Sequence, residues 1–269
     1  MTKKKMLEIF NYSFILRGFE AGIIIALIAP LIGTFLVLRR YGPIADTLSH
    51  ISLAGVAIGM LFGWNPLMTA IGATTLSSIA IERLRTSRRV YGESALAIFY
   101  AGSLALAVVL ISLANGFTID LFNYLFGSLV TVEQSDVIII GILGLIVCVA
   151  IIAFYKELVY ITFDEESAVV GGIQTRLINT LLIALVAVTV SLSIPIVGVL
   201  LISALIVIPV VTALQFGKGF QQTILIAEVI SVFSVVSGIV VSFYLNLSAG
   251  GTIVLITLAL FGAVLLFRK

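Results

Sequence analysis

Asp46-Thr47-Leu48-Ser49-His50-Ile51-Ser52-Leu53-Ala54-Gly55-Val56-Ala57-Ile58-Gly59 holds the only histidine of the 269-residue chain. The i, i+4 spacing of Asp46 and His50 puts both side chains on one helix face. A carboxylate oxygen and an imidazole nitrogen together suit a borderline divalent cation such as zinc or manganese. Their neighbours are apolar or small, as in a helix surrounded by hydrocarbon or by other helices. A polar pair in that setting needs an explanation, and the alternative to a ligand pair is a structural Asp–His hydrogen bond.

The rest of the chain fixes the solvent of that helix. It is 61% hydrophobic and 10% charged, with a mean hydropathy of +1.27. Soluble domains carry about 25% charged residues. The chain therefore reads as an all-α, polytopic membrane protein, a single transmembrane domain over residues 1–269. The lone Cys148 lies in an apolar run and cannot form an intrachain disulfide.

A span needs about 20 apolar residues to cross roughly 30 Å of hydrocarbon. Nine segments qualify: Ala21–Leu38, Thr47–Trp64, Pro66–Ile81, Ser94–Leu113, Val137–Phe154, Leu177–Leu192, Val199–Leu214, Ile224–Leu245 and Gly250–Phe267. Eight spans result if the Asp46 segment is broken or does not cross fully. With nine, Arg39, Arg40, Arg83, Arg85, Arg88, Arg89, Lys156, Arg176, Lys218, Arg268 and Lys269 share one side, the cytoplasm by the positive-inside rule. Lys3, Lys4, Lys5 and Arg17 fall outside and suggest an interfacial N-terminal helix within residues 1–18 or so, Met6 to Phe19 at its fullest. Pro30, Pro195 and Pro209 are expected to kink or break helices. Gly55 and Gly59 form a G-x-x-x-G that permits close helix approach. Asn115–Gln134 is the one long outer connection, with Asp120, Asn123, Tyr124, Phe126 and Glu133 available to dock a partner or to form an interfacial belt.

His50 lies ten residues past Arg40, at most about 15 Å into the membrane if helical. Ionisable side chains at such depth are costly and mark transport paths. Glu228 has a comparable offset from Lys218 and is either a third ligand, a proton acceptor or a locally hydrated acid. On the cytoplasmic side, residues 155–176 connect two spans. Within them, Thr162–Gly172 carries Asp164, Glu165 and Glu166 where a helix N-terminus favours acids, and Gly171 or Gly172 where it ends. Such a helix is either a docking knob for a cytosolic protein or a plain connector.

Several classes are excluded. No G-x-x-x-x-G-K-[ST] is present for ATP, no H-E-x-x-H for a zinc protease and no Thr-Val-Gly-Tyr-Gly filter. No Ser/His/Asp triad can be assembled, and nothing points to nucleic acid.

Arg39-Arg40, Asp46-Thr47-Leu48-Ser49-His50 and Leu53-Ala54-Gly55-Val56-Ala57 resemble the permeases of metal-type ABC importers, which carry zinc, manganese or iron into bacteria. Thr162–Gly172 resembles their coupling segment, Gly198–Pro209 their late Gly-to-Pro span, and Ser237-Gly238 with Ser242-Phe243-Tyr244-Leu245 a motif near their end. The Asp-Thr-Leu-Ser-His form is most similar to Gram-positive zinc-uptake permeases. Asn246-Leu247-Ser248-Ala249-Gly250 departs from the family, where Asp and Pro often follow the tyrosine.

The resemblance implies a multi-pass protein of the bacterial plasma membrane, a homodimer with no cofactor of its own and no catalytic residues. A cytosolic ABC ATPase dimer would hydrolyse ATP below it, and an extracellular metal-binding lipoprotein would deliver Zn2+, or Mn2+ or Fe2+, above it. Asp46 and His50 would be metal ligands. Asp164, Glu165, Glu166, Gly171 and Gly172 would form the ATPase-coupling element. Two ligands are too few for tetrahedral zinc, so two copies meeting on a two-fold axis, with Gly55 and Gly59 allowing the approach, would supply four. The competing classes are a secondary carrier using Glu228 as its proton site and, with no constellation to support it, a membrane enzyme.

Overall fold

Inside hydrocarbon the backbone must satisfy its own hydrogen bonds, so apolar runs of this length fold as helices. A computed structural model of the chain describes residues 13–86, 91–113, 119–128, 132–199 and 201–267. The long helices are α1 (Ser13–Leu38), α2 (Pro43–Phe62), α3 (Pro66–Thr86) and α4 (Gly92–Leu113). A short α5 (Ile119–Phe126) precedes α6 (Gln134–Ala153). Then come α7 (Tyr155–Phe163), α8 (Glu165–Val170) and α9 (Thr175–Val197). α10 (Ile202–Leu214), α11 (Phe220–Leu245) and α12 (Ala249–Phe267) are the last helices among the described residues.

Every expected span corresponds to one of these helices, and seven of them are long and apolar enough to cross a membrane. The other two depart for different reasons. α3 has 21 residues but ends in Glu82, Arg83 and Arg85. α10 has only 13 residues, because Gly198, at φ +85°, turns the chain and delays the helix start to Ile202. The prolines do not break their helices: Pro30 lies inside α1, Pro209 inside α10, and Pro195 just before the end of α9. Nor do residues 13–18 belong to a separate interfacial helix. They are the first turns of α1, which runs unbroken to Leu38, since Gly18 between Arg17 and Phe19 costs a helix only about 1 kcal/mol. Residues 1–12, with Lys3 to Lys5, lie outside the described residues.

α1, α2 and α9 are largely buried, whereas α4, α6 and α12 turn most of their surface outward. Packing of the interior is set by small residues. A Cβ on Gly33 of α1 would stand 2.1 Å from the Ile206 carbonyl oxygen of α10. One on Gly144 of α6 would stand 2.7 Å from Ile28 of α1. Three short buried hydroxyls tie α2 to its neighbours: Ser52 to Ser191 of α9 at 3.4 Å, and Ser191 to Thr74 of α3 at 2.7 Å. Interhelical hydroxyl contacts of this kind hold membrane helices in register.

The two ends of the bundle differ chemically. At one end Arg39, Arg85 and Arg176 gather, the last reaching Thr86 at 3.4 Å. This is the cytoplasmic end by charge. At the other, α5 folds back onto the α9–α10 turn: Val199 N–H donates to the Tyr124 carbonyl at 3.0 Å and Ser128 N–H to that of Pro195 at 3.1 Å. The outer connection is thus a packed plug in its described part.

Candidate functional site

α2 begins with Pro43 at its first turn and ends in a left-handed Gly63, a start and stop that place Asp46 in its opening turn and His50 one turn deeper. Both side chains share a face, as the spacing requires. Asp46 lines a cavity of about 650 Å3 together with Tyr41, Thr47, Arg85, Glu93 and Tyr100. The Arg40–Tyr41 turn, Arg85 and Gly92 also border it, so the cavity lies toward the cytoplasmic end. Ser203 of α10 donates to Asp46 Oδ1 at 3.5 Å.

His50 is buried, and its ring meets that of Tyr100 edge-on, with centroids 4.4 Å apart. Its Nδ1 is buried with no hydrogen-bond partner in the protein. Buried polar atoms are seldom left so. A metal ion or a water molecule is the kind of partner such a nitrogen takes. Among the described residues no three His, Cys, Asp or Glu side chains converge into a protein-only metal cage.

Glu228 is not brought to this pair. It sits on α11 in an apolar groove with Leu27, Leu225, Val229, Val232 and Phe233. The glycines of α2 also act differently from the expectation that they bring two copies together. A Cβ on Gly55 would stand 2.7 Å from Ala70 Cα, and one on Gly59 2.3 Å from Thr69 Oγ1, both in α3 of the same chain. The small face of α2 is therefore filled by α3, the next helix in sequence. Their close approach is intramolecular.

The cytoplasmic segment carries a well-defined helix. Asp164 caps α8 by accepting from the Ser167 N–H at 2.9 Å. The Ser167 hydroxyl and N–H hold the Asp164 carboxyl below the usual carboxylate range. Gly171 is the C-cap of α8, and Gly172 follows at φ +83° with its N–H on Val169 and that of Ile173 on Ala168. Ala168 faces inward, while Glu166, Val169 and Val170 are exposed. Glu165 turns to the bundle: it pairs with Arg39 at 3.4 Å and accepts from the Asn179 amide at 2.7 Å. Tyr155 and Phe163 flank Phe220 of α11 at 6.0 and 5.8 Å, anchoring α7 to the span bundle.

Sequence reading missed Tyr100, Ser203, Glu93, Phe220 and the Arg39–Tyr41–Arg85 contacts. A tyrosine within the apolar α4 segment was the one visible signal. The others depend on which helices touch.

The chain matches the model of the ABC 3 transport family over residues 11–268. It is 34% identical over 240 residues to the high-affinity zinc uptake system membrane protein ZnuB of Haemophilus influenzae, covering 89% of this chain and 92% of that one. It is 30% identical over 260 residues to the manganese transport system membrane protein MntC of Halalkalibacterium halodurans, covering 97% and 89%. In structure it is similar to the PsaBC complex of Streptococcus pneumoniae solved with a Fab, with TM-score 0.89 and 26% identity over 100% of this chain and 97% of that one. A family match over nearly the whole chain, relatives aligned end to end and a shared fold agree with the multi-pass helical architecture, and the chain belongs to the ABC 3 transport family, the membrane permeases of metal-type ABC importers.

Proposed function

We propose that this permease carries a divalent metal ion, zinc foremost, into the cell through a path in which Asp46 and His50 are the protein ligands. The observation that carries the reading is the Asp46 cavity, with an unpartnered, buried His50 Nδ1 one turn behind it. Two ligands per chain bind weakly, and weak binding suits a carrier that must release its cargo. A second copy of the permease, water, or both complete the coordination sphere. The ZnuB and MntC relatives give zinc and manganese as the metals to compare, and carboxylate plus imidazole accepts either.

The permease performs no hydrolysis in this reading. A cytosolic ATPase pair docks on α8, whose exposed Val169 and Val170 lie beside Glu166. An extracellular binding protein delivers the ion at the α5 end. The test is metal-resolved uptake by the complex reconstituted in lipid vesicles, with ATP inside the compartment facing α8. Zinc uptake that needs ATP and resists excess manganese supports the reading. Manganese uptake unaffected by zinc replaces the substrate, and uptake driven by a proton gradient without ATP replaces the class.

A further inference from the structure

Two arginines rest on one tyrosine at the junction of α1 and α2. The guanidinium carbon of Arg39 lies 5.3 Å from the Tyr41 ring centroid and that of Arg85 5.1 Å, within cation–π range. Each arginine has its own carboxylate. Arg85 is held by Glu82 through two hydrogen bonds of 2.8 and 2.7 Å, and Glu82 is only 1% exposed. Arg39, whose side chain is 6% exposed, pairs at 3.4 Å with Glu165 of α8, whose own side chain is 43% exposed.

The backbone makes Tyr41 a joint. α1 ends in a left-handed Arg40 (φ 59°), with Arg40 N–H on the Val37 carbonyl and Tyr41 N–H on that of Leu36 at 2.8 Å. The Tyr41 carbonyl then accepts the Ile44 N–H at 3.0 Å, in the first turn of α2. Tyr41 thus closes one helix and opens the next, five residues before Asp46. Tyr41 and Arg85 both line the Asp46 cavity.

We infer that Tyr41, gripped by Arg39 and Arg85, is the positioning residue through which movement of α8 is passed to the N-terminus of α2, and so to Asp46 and the cavity mouth. The physical reason is charge. A buried guanidinium that loses its carboxylate carries a large desolvation penalty. When α8 shifts, Arg39 must follow Glu165 or lose its anion, and Arg39 is bound to the Tyr41 ring. A hydrocarbon contact would slip under the same displacement. The inference rests on the importer reading, since it needs α8 to be the element that the ATPase moves.

The test uses the permease–ATPase complex in vesicles, reading zinc moved per ATP hydrolysed. Tyr41→Phe keeps the aromatic face and should keep the parent ratio. Tyr41→Leu should leave ATP hydrolysis running while the ratio falls about tenfold, the scale of a lost coupling free energy. Arg39→Lys, which keeps a cation for both the Tyr41 ring and Glu165, should retain coupling, and Arg39→Met, which keeps neither contact, should uncouple like Tyr41→Leu. A parent ratio in Tyr41→Leu overturns the inference, as does equal damage by Tyr41→Phe. If Tyr41→Leu fails to assemble, the Arg39 variants decide: a parent ratio in Arg39→Met, or Arg39→Lys no better coupled than Arg39→Met, overturns it. Parent complex without ATP-driven uptake overturns the importer reading, and this inference with it.

Discussion

His50 stands edge-on to Tyr100, with ring centroids 4.4 Å apart and 66° between the planes. Tyr100 lines the cavity that Asp46 reaches, whereas His50 is not among its lining residues. The tyrosine ring therefore meets both the imidazole and the space that the carboxylate borders. Edge-to-face aromatic pairs contribute about 0.5–1.5 kcal/mol beyond their burial. Tyr100→Phe should preserve the packing and the uptake curve. Tyr100→Ala should open His50 to the cavity and shift the zinc concentration for half-maximal uptake about two- to tenfold, the equivalent of that contact energy.

Removing either proposed ligand should stop transport without stopping assembly. Asp46→Ala and His50→Ala are expected to abolish zinc uptake while the permease still co-purifies with its ATPase. Asp46 is part-exposed to a cavity and His50 leaves Nδ1 without a protein partner, so the substitutions cost the protein only the 3.5 Å contact of Asp46 to Ser203 and the edge-on contact of His50 with Tyr100. Normal uptake by either variant removes the pair from the path.

The glycine face of α2 gives a stability prediction with a built-in control. Gly55→Ala places a methyl 2.7 Å from Ala70 Cα, an overpacking that costs about 1–3 kcal/mol. Gly72→Ala on α3 meets nothing within 4 Å and should be neutral or slightly stabilising, since alanine is the better helix former. Thermal unfolding in detergent should rank parent and Gly72→Ala together and Gly55→Ala below them.

Glu228 separates the two transport classes. Its groove is apolar and shares no lining residue with the Asp46 cavity. Glu228→Gln should leave ATP-driven zinc uptake at the parent level. Loss of uptake in this variant, together with persistence of parent uptake after ATP depletion in an intact proton gradient, would mark a secondary carrier.

The two acids at the start of α8 should behave differently. Glu165 is committed to Arg39 and Asn179 within the chain, whereas Glu166 is exposed. Glu165→Ala should preserve ATPase binding but lower zinc transport per ATP. Glu166→Ala should instead weaken ATPase binding, measured by titrating the ATPase against the immobilised permease. Equal effects of both on binding would place Glu165 in the docking surface.

Much of this arrangement is local physics. Apolar runs longer than a bilayer is thick, interrupted by turns rich in arginine on one side, leave the chain few alternatives to a helical bundle with that side in the cytoplasm. The helix register of Asp46 and His50 follows from 3.6 residues per turn. The α8 cap at Asp164 and its left-handed stop at Gly172 follow from side-chain chemistry within a few residues, and so they were readable in Thr162–Gly172.

Tertiary contact decided the rest. That Gly55 and Gly59 face α3 of the same chain, that Tyr100 meets His50 edge-on, and that Glu228 faces an apolar groove each depend on the rotation of a helix about its axis. In a span that is apolar nearly all round, periodicity does not specify that rotation. The grip of Arg39 and Arg85 on Tyr41 joins residues 44 positions apart with a third, Glu165, 126 positions beyond Arg39. The sequence by itself determined a metal-compatible pair on a membrane helix. Only the packed structure decided what surrounds that pair, because the free energy of enclosing a charge lies in its neighbours rather than in the residue itself.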